Sequence, residues 1–345
     1  MPSYLNSDTK KWYCKFYYTD WQGNRQQKKK SGFKLKRDAD DFERKFLEYY
    51  ACDPHVTFEA LCDKYETIMK AEWKPTTYNA RKGVIENHFL PYFTGRIISE
   101  ITPLNIKEWH TAMLKDISKN TLHEYHSNLT AIFNFAIKHY GLTKNPCKEA
   151  GNIKRIKGEM LYWTIDEYQK AIQDEKIDDT TRIMLKLMFW TGIRHGELLA
   201  LTPADLNKDS IRINKNRVWT KGKSVVQYST KNDSARPVFI NKELHDDFQA
   251  YIDKLYYLDD NSIIFPYSKV KLQYQIDEIA KRTEVKRIVV HGLRHSHVAL
   301  LIHMGYNPKA IAERIGDSVE TVLEVYSHIY KEDYVEMTNR FSELY

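Results

Sequence analysis

The spacing of apolar residues changes its period along this chain, and that change constrains the fold more than any other feature of the sequence. In residues 12–18 large apolar side chains alternate with a more polar set, a period of two that is typical of a strand with one buried face. A turn at Gly23 and a basic stretch from Arg25 predict a hairpin. Residues 38–50 have the period of a helix. Residues 1–52 are therefore predicted to form a small module of sheet and helix.

The basic residues are concentrated in that first module. Residues 1–37 hold ten Lys or Arg residues against Asp8 and Asp20, a local net charge of +8 from ten minus two. The whole chain has a net charge of only +7, because 53 basic residues face 46 acidic ones. A solvated charged face explains a run such as KKK on its own. Basic and aromatic strands can also lie in a DNA groove, and this is the reading that we expect here.

After this module the period becomes helical. Between Thr57 and about Gly151, apolar residues recur at spacings of three and four in four segments, one of which stops near Pro91. We expect an all-helical domain over residues 55–150, followed by the short basic linker GNIKRIKGEM. A third domain over residues 160–345 mixes helices with one hairpin region. The predicted fold class is α+β, mainly α.

Composition excludes several other classes of protein. A chain of 345 residues suits two or three domains, and it contains neither a run of eighteen apolar residues nor a cleavable signal stretch. We therefore expect a cytoplasmic protein without contact to membranes. The four cysteines form no CxxC pair, so neither a zinc site nor a disulfide framework is predicted.

Four separated segments of the third domain carry residues that suit phosphate chemistry. In the first, a buried helix ends at Gly192 and Arg194 opens the next helix, where the helix dipole disfavours a cation unless an anion is near. In the second, two β-rich runs flank Lys231 in a turn-forming stretch, which alone indicates only a solvated hairpin tip. Neither segment is specific by itself.

The other two segments are helical. In HGLRHSHVALLIHMG, His291 and Arg294 share one helix face, whereas His295 and His297 diverge and lack further metal ligands. In the last segment a helix ends at Gly316, and a second helix carries Tyr326. This pair of helices alone is typical of a DNA-reading helix-turn-helix, and a tyrosine in an apolar helix is more often a core residue than a nucleophile.

Taken together, the four segments resemble the catalytic domain of the tyrosine recombinases, the phage integrase family. The signature is an Arg in a TGxRxxE segment, a Lys on a β-hairpin, a helical HxxR and a Tyr in a YSH-type segment. The matching residues, in the family's order, are Arg194, Lys231, His291, Arg294 and Tyr326. The layout of residues 1–150 is similar to that of the arm-binding and core-binding domains of phage and mobile-element integrases.

The resemblance implies a mechanism. Tyr326 attacks the phosphate and keeps the bond energy in a 3′-phosphotyrosyl link, Arg194 and Arg294 bind the non-bridging oxygens, and His291 accepts the tyrosine proton or contacts the phosphate. Lys231 protonates the 5′-oxygen that leaves. No metal or cofactor is expected. Expected partners are double-stranded DNA attachment sites, further copies of the chain in a homotetramer on paired sites, an excisionase and a host DNA-bending protein, on the chromosome of a bacterial host.

One position departs from the family pattern. Asp317 stands where the family usually has a His or Trp that donates a hydrogen bond to the scissile phosphate, and an ionised carboxylate there would repel it. We expect Asp317 to turn away, held by a neighbouring Arg or by the helix N-terminus at Ser318. Two other functions remain open at this point. A non-enzymatic DNA-binding regulator leaves the four segments unexplained, and a type IB topoisomerase shares the tyrosine chemistry without choosing a DNA sequence.

Overall fold

The computed structural model of the protein describes residues 3–7, 9–19, 25–50, 56–156, 158–220, 223–228, 235–256, 258–268, 270–330 and 341. Within these ranges the chain is mostly helical with small antiparallel sheets, which confirms the predicted fold class. The chain divides into two compact units, residues 1–157 and 158–345.

The first unit begins with a three-stranded antiparallel sheet and a helix. The elements are β1 (Ser3–Leu5), β2 (Trp12–Thr19), β3 (Arg25–Phe33) and α1 (Lys36–Tyr50), with the strands in sequence order. The predicted strands and helix are confirmed, whereas β1, which is only three residues long, was not predicted. The predicted turn at Gly23 lies outside the described residues.

The alternation in β2 separates a buried face from an outer face. Cys14 and Phe16 pack with Ala39 of α1 in a small core. On the other face, Lys15 and Lys29 are directly opposite each other across β2 and β3 and are both exposed. Because like charges opposite each other destabilise a sheet, this pair of lysines is unfavourable without a counter-charge.

The rest of the first unit is helical, as predicted. Its helices are α2 (Phe58–Glu72), α3 (Pro75–Val84), α4 (Leu90–Phe93), α5 (Pro103–Met113), α6 (Lys119–Tyr140) and α7 (Pro146–Ala150). Their apolar faces form one core around Phe58, Phe93, Trp109 and Phe133, all fully buried. Gly141 ends α6 in the left-handed conformation, as its position after the last apolar residue predicted.

Two prolines lie in the first turns of helices. The helical segment stops near Pro91, as predicted, because α4 ends at Phe93, and Pro91 lies in the first turn of α4 after a π-helical segment at Ile85–Phe89. The wider π turn accommodates a residue that cannot donate a backbone hydrogen bond. Similarly, Pro146 begins α7, and the side chain of Asn145 caps that helix.

The second unit packs helices around two small sheets. It contains α8 (Ile165–Ile172), α9 (Asp179–Thr191), α10 (His195–Leu198), β4 (Ser210–Ile213), β5 (Asn216–Thr220), β6 (Lys223–Gln227), β7 (Arg236–Phe239), α11 (Lys242–Asp253), α12 (Lys271–Thr283), α13 (Val290–His303), α14 (Pro308–Ile315) and α15 (Val319–Tyr330). Helix α9 is buried through most of its length. Helices α13, α14 and α15 share a second cluster of buried side chains that includes Tyr326.

Two strands flank Lys231 in the sequence, as predicted. The strand before it, β6, pairs with β5, and the strand after it, β7, pairs with β4, all antiparallel. Lys231 itself lies outside the described residues.

No helix among the described residues is long and apolar enough to cross a membrane. Cys14, Cys62 and Cys147 are buried thiols without a disulfide partner among the residues that the structure covers, and Cys52 falls outside them.

Candidate active site

Arg194 is held in place at the junction of two helices. Helix α9 ends at Gly192 in the left-handed conformation (φ 66°), and Arg194 is the N-cap residue of α10. The backbone N–H of Arg194 donates to Glu197 Oε2 at 3.0 Å, and its guanidinium donates to Glu197 Oε1 at 2.9 Å. The anion expected beside this arginine is therefore supplied in part by Glu197, in the first turn of the same helix.

Arg294 is almost completely buried on α13, with 1% of its surface exposed. Its Nη1 donates to the carbonyl oxygens of Gly192 at 2.7 Å and of Ile315 at 2.8 Å. These carbonyls lie at the C-terminal ends of α9 and α14, where the helix dipoles favour a cation. Two helix ends thus fix the guanidinium, and its Nη2 faces the site.

Asp317 joins the two arginines. Arg194 donates through Nη2 to Asp317 Oδ1 at 2.7 Å, and Arg294 donates through Nη2 to Asp317 Oδ2 at 2.5 Å. Burial raises the pKa of the Asp317 carboxyl, but the charges of Arg294 and Arg194 lower it by more, so the net pKa is below its ordinary value. The carboxylate is ionised at neutral pH.

The position of Asp317 corrects our expectation that it turns away from the site. It is held by neighbouring arginines, as expected, but these are Arg194 and Arg294, the same groups that are expected to bind the scissile phosphate. The N-terminus of α15 is capped instead by the Ser318 hydroxyl, which accepts from the Thr321 backbone N–H at 3.1 Å. We call Arg194 and Arg294 the arginine pair.

A third arginine, which contacts Glu197, was not predicted from the sequence. Arg236, at the start of β7, donates through Nη2 to Glu197 Oε2 at 3.0 Å and through Nε to the carbonyl of Arg314 at 3.0 Å. Glu197 is 1% exposed, so its charge is balanced by Arg236 on one side and Arg194 on the other. A basic residue at the first position of a strand was the only sequence signal, and it is a weak one.

Tyr326 is buried on α15, with 3% of its surface exposed, and its hydroxyl contacts a histidine. The partner is His295, whose Nδ1 lies 2.6 Å from the phenolic oxygen. Burial raises the pKa of Tyr326 well above its ordinary value and lowers the pKa of His295 to about 4. The charge of Arg294 lowers the pKa of Tyr326 and that of Asp317 raises it, but burial has the largest effect.

His291 is exposed and one helical turn from His295, with the two rings edge to face at 4.7 Å between centroids. Sequence reasoning placed His291 and Arg294 on one face of α13, which the helix confirms. It considered His295 only as a metal ligand and missed its contact with Tyr326. The i, i+4 spacing of His291 and His295 was the available signal, since such residues are neighbours on a helix.

His297, the last histidine of the HSH run, has a structural contact on each ring nitrogen. Its Nδ1 lies 2.8 Å from the carbonyl of Phe189, and its Nε2 accepts from Arg314 Nε at 3.0 Å. Because Nε2 is an acceptor, the ring is neutral with its proton on Nδ1, in agreement with a pKa that burial lowers to about 3. Among the described residues no group of three or more His, Cys, Asp or Glu side chains is arranged to hold a metal ion.

Sequence profiles of three known domains match this chain in order. The phage integrase family matches residues 163–333, the N-terminal SAM-like domain of phage integrases matches residues 57–114, and an arm DNA-binding domain matches residues 2–49. The ICEBs1 integrase of Bacillus subtilis (strain 168) is 29% identical over 310 residues, which are 84% of this chain and 83% of that protein. The integrase of Staphylococcus phage L54a is 23% identical and covers 84% of this chain and 93% of its own.

Solved structures show the same fold. A Tn1549 transposon integrase in complex with a circular intermediate DNA matches with a TM-score of 0.68 at 20% identity, over 81% of this chain and 99% of that one. A lambda integrase dimer bound to a core site matches with a TM-score of 0.62 at 16% identity, over 94% of this chain and 93% of that one. The three domain profiles match in order, and the relatives match along most of the chain. The chain therefore belongs to the phage integrase family and is a tyrosine-type site-specific recombinase.

Proposed function

We propose that this recombinase integrates and excises a mobile genetic element by cutting and rejoining double-stranded DNA at attachment sites through Tyr326. The observation that carries the proposal is the convergence of two guanidinium donors, Arg194 Nη2 and Arg294 Nη2, on one carboxylate, that of Asp317, which lies just before the helix that carries Tyr326. A site that binds a carboxylate through two arginines has the charge and donors that a phosphodiester requires.

The proposed reaction is a transesterification. The Tyr326 oxygen attacks phosphorus, the bond between phosphorus and the 5′-oxygen breaks, and the arginine pair stabilises the charge on the non-bridging oxygens. Lys231 gives a proton to the departing 5′-oxygen, and His291, exposed at the edge of the site, contacts the phosphate. Rejoining is the same reaction in reverse with the 5′-hydroxyl of another strand. The guanidinium groups carry the positive charge that a divalent cation supplies in other phosphoryl-transfer sites.

Three domains divide the binding of DNA in this proposal. Residues 1–52 bind accessory arm sites, residues 55–150 bind the core site, and residues 160–345 cut it. The paired basic residues on the outer face of the sheet support the first of these roles. Four copies of the chain assemble on two paired sites in the cytoplasm of a bacterial host. An excisionase and a host DNA-bending protein set the direction of the reaction.

The assignment of the nucleophile is tested with a nicked duplex taken from the DNA that flanks this gene. We expect the wild-type protein to form a denaturant-resistant adduct, and Tyr326→Phe to bind the same duplex without forming one, because only the hydroxyl is removed. Tyr330→Phe, four residues further along α15, is the matched control and should keep the adduct. An adduct that persists in Tyr326→Phe and disappears in Tyr330→Phe would contradict the assignment.

The same assay separates recombination from topoisomerase activity. A type IB topoisomerase forms covalent complexes on duplexes of unrelated sequence, whereas a site-specific recombinase forms them on the attachment site alone. Adducts of equal yield on a scrambled duplex would therefore overturn the proposed function.

A further inference from the structure

His295 and Tyr326 contact each other in a buried position, and burial sets the protonation state of both groups. Burial raises the pKa of the phenol, so Tyr326 keeps its proton in the free protein, and it lowers the pKa of His295 to about 4, so the imidazole is neutral near pH 7. The phenolic oxygen lies 2.6 Å from His295 Nδ1, and we assign the imidazole proton to Nε2, the tautomer in which the phenol O–H donates to Nδ1. A neutral imidazole that already accepts the hydrogen bond of a nucleophile is in position to take its proton.

The other ionisable groups around the phenol are less suited to that task. On α13, Arg294 is a cation without an acceptor, and His291 packs edge to face against the ring of His295. From α10 the nearby charge is Arg194, also a cation. On the loop before α15, both carboxylate oxygens of Asp317 are occupied by the arginine pair.

We propose that His295 holds Tyr326 and accepts its proton during the attack on DNA, as an additional catalytic residue of this recombinase. The inference rests on the proposed function and assigns to His295 the proton transfer that the resemblance assigned to His291. As the bond between the Tyr326 oxygen and phosphorus forms, the phenolic proton moves to His295 Nδ1, and the 5′-oxygen leaves with a proton from the general acid. On rejoining, the imidazolium returns the proton to the tyrosine oxygen, so the step is balanced in both directions.

The burial of both groups makes the transfer depend on bound DNA. In the free protein the pKa of the phenol lies far above that of the imidazole, so the proton stays on Tyr326. The proton moves only as the bond between the Tyr326 oxygen and phosphorus forms, because the forming bond lowers the affinity of the phenolic oxygen for its proton. The tyrosine is therefore a weak nucleophile until the scissile phosphate is in place.

The hydrogen bond between His295 and Tyr326 would have the same length if it only held α15 in place. The test must therefore distinguish a histidine that accepts the proton from one that only holds the helix. His295→Asn places an amide oxygen near the position of Nδ1 and keeps an acceptor for the phenol, but it cannot take a proton. His295→Gln is a second variant with a longer reach. His303→Asn is the control on the same helix, because His303 Nδ1 lies 2.7 Å from the Ala299 carbonyl of its own helix.

The measurement is the single-turnover rate of adduct formation on the nicked flanking-DNA duplex, between about pH 5.5 and pH 9. A parallel duplex carries sulfur in place of the bridging 5′-oxygen at the cut, so that the leaving group needs no general acid. We expect His295→Asn to slow the reaction by at least about 100-fold on both duplexes across the whole range, because an imidazole with a pKa of about 4 is already deprotonated at pH 5.5. Binding of the duplex should stay within about twofold of wild type, and His303→Asn should match wild type.

Two results would overturn the inference. If both His295 variants bind DNA and cut within about threefold of the wild-type rate with the same pH profile, His295 is only an anchor. If the loss is confined to the oxygen duplex and vanishes with sulfur, His295 acts on the leaving group and not on Tyr326. A failure of the proposed function looks different, because then the wild-type protein and His303→Asn form no adduct either.

Discussion

Arg294 donates a hydrogen bond to Asp317 at 2.5 Å, and the same carboxylate receives a second one from Arg194 at 2.7 Å. The two donors that we propose for the scissile phosphate are thus occupied by an anion of the protein itself. On that proposal DNA displaces this carboxylate, since two like charges about 4 Å apart cost about 4 kcal/mol at an effective dielectric near 20. In the free protein, Asp317 neutralises part of the charge of the arginine pair.

The first prediction concerns the removal of that charge. Asp317→Asn should lower the free energy of unfolding by on the order of 2 kcal/mol, because the arginine pair loses a charged acceptor. Added sulfate should restore stability more in this variant than in wild type, because the anion no longer competes with Asp317. Thermal unfolding with and without sulfate measures both effects. Asp246→Asn, an exposed carboxylate on α11, is the control and should respond like wild type.

Cleavage separates a displaced Asp317 from one that takes part in the chemistry. We expect Asp317→Asn to change the rate of adduct formation by less than about tenfold, whereas Arg294→Ala should nearly abolish it. Arg294 is fixed by two helix ends and cannot be replaced by a neighbour. A loss in folded Asp317→Asn as deep as that in Arg294→Ala would mean that the carboxylate acts directly on the reaction.

The parts of the site that could be predicted follow from local rules. Gly192 and Gly316 end their helices in the left-handed conformation, Ser318 begins α15, and His291 and Arg294 share a face of α13. Each of these depends on residues within one or two helical turns, which a sequence pattern records directly. The identity of the family came from the order of such segments along the chain.

The contacts that could not be predicted join residues distant in sequence. Tyr326 meets His295 across 31 positions, and Arg236 meets Glu197 across 39. These pairs depend on how α13, α15 and β7 pack, and no local pattern encodes that packing. Asp317 shows the same limit, because its position before a helix N-terminus suggested a local partner, whereas two distant arginines provide stronger ones.

The second prediction uses Gly316, which lies directly over Arg236. Gly316 has φ 68°, and a Cβ there would be 2.6 Å from Arg236 Nη1 and 2.7 Å from its Cζ. Gly316→Ala should therefore displace Arg236 from Glu197 and disturb the arginine pair, in addition to the cost of about 1–2 kcal/mol for a left-handed alanine. We expect the adduct rate to fall at least about tenfold.

Gly305→Ala is the matched control for this substitution. Gly305 has φ 81° in the same unit, but no atom lies within 4 Å of the position of its Cβ. Gly305→Ala should lose free energy of unfolding, measured with urea, only through the left-handed backbone of the alanine. Its rate of cleavage should be nearly that of wild type. Equal loss of cleavage in both variants would show that the contact between Gly316 and Arg236 does not support the site.

The third prediction concerns a buried histidine pair in the helical part of the first unit. His110 Nε2 on α5 lies 2.9 Å from His126 Nδ1 on α6, and burial lowers the pKa of each to about 4. The unfolded chain, with histidine pKa values near 6.5, binds more protons than the folded protein between about pH 6.5 and pH 4. The contribution of the neutral pair to the free energy of unfolding is therefore fully present above about pH 6.5, and it decreases as the pH falls through this window.

His110→Gln/His126→Asn tests this, because the two amides keep polar atoms near Nε2 and Nδ1 but do not titrate. We expect wild type to lose at least about 1 kcal/mol more free energy of unfolding than the double variant between about pH 7.5 and pH 5. Urea unfolding at both pH values measures the difference, and it cancels the contribution of His295 and His297, which are present in both proteins. If the free energy of unfolding changes equally with pH in the two proteins, the histidine pair is not the source of the pH dependence.

The last prediction tests the separate role of the first module. Removal of residues 1–52 takes away the basic sheet, in which Lys15 and Lys29 are opposite each other on the exposed face. Because each phosphate contact releases counterions, the full-length protein should bind arm-site DNA with a steeper salt dependence than the truncated one. Integration that requires arm sites should be abolished, while cleavage of a short core-site duplex stays largely intact, since the catalytic unit is residues 158–345. Binding isotherms at several salt concentrations measure the difference. If the truncated protein binds arm-site DNA as tightly as the full-length protein, with the same dependence on salt, the module does not bind the arm site.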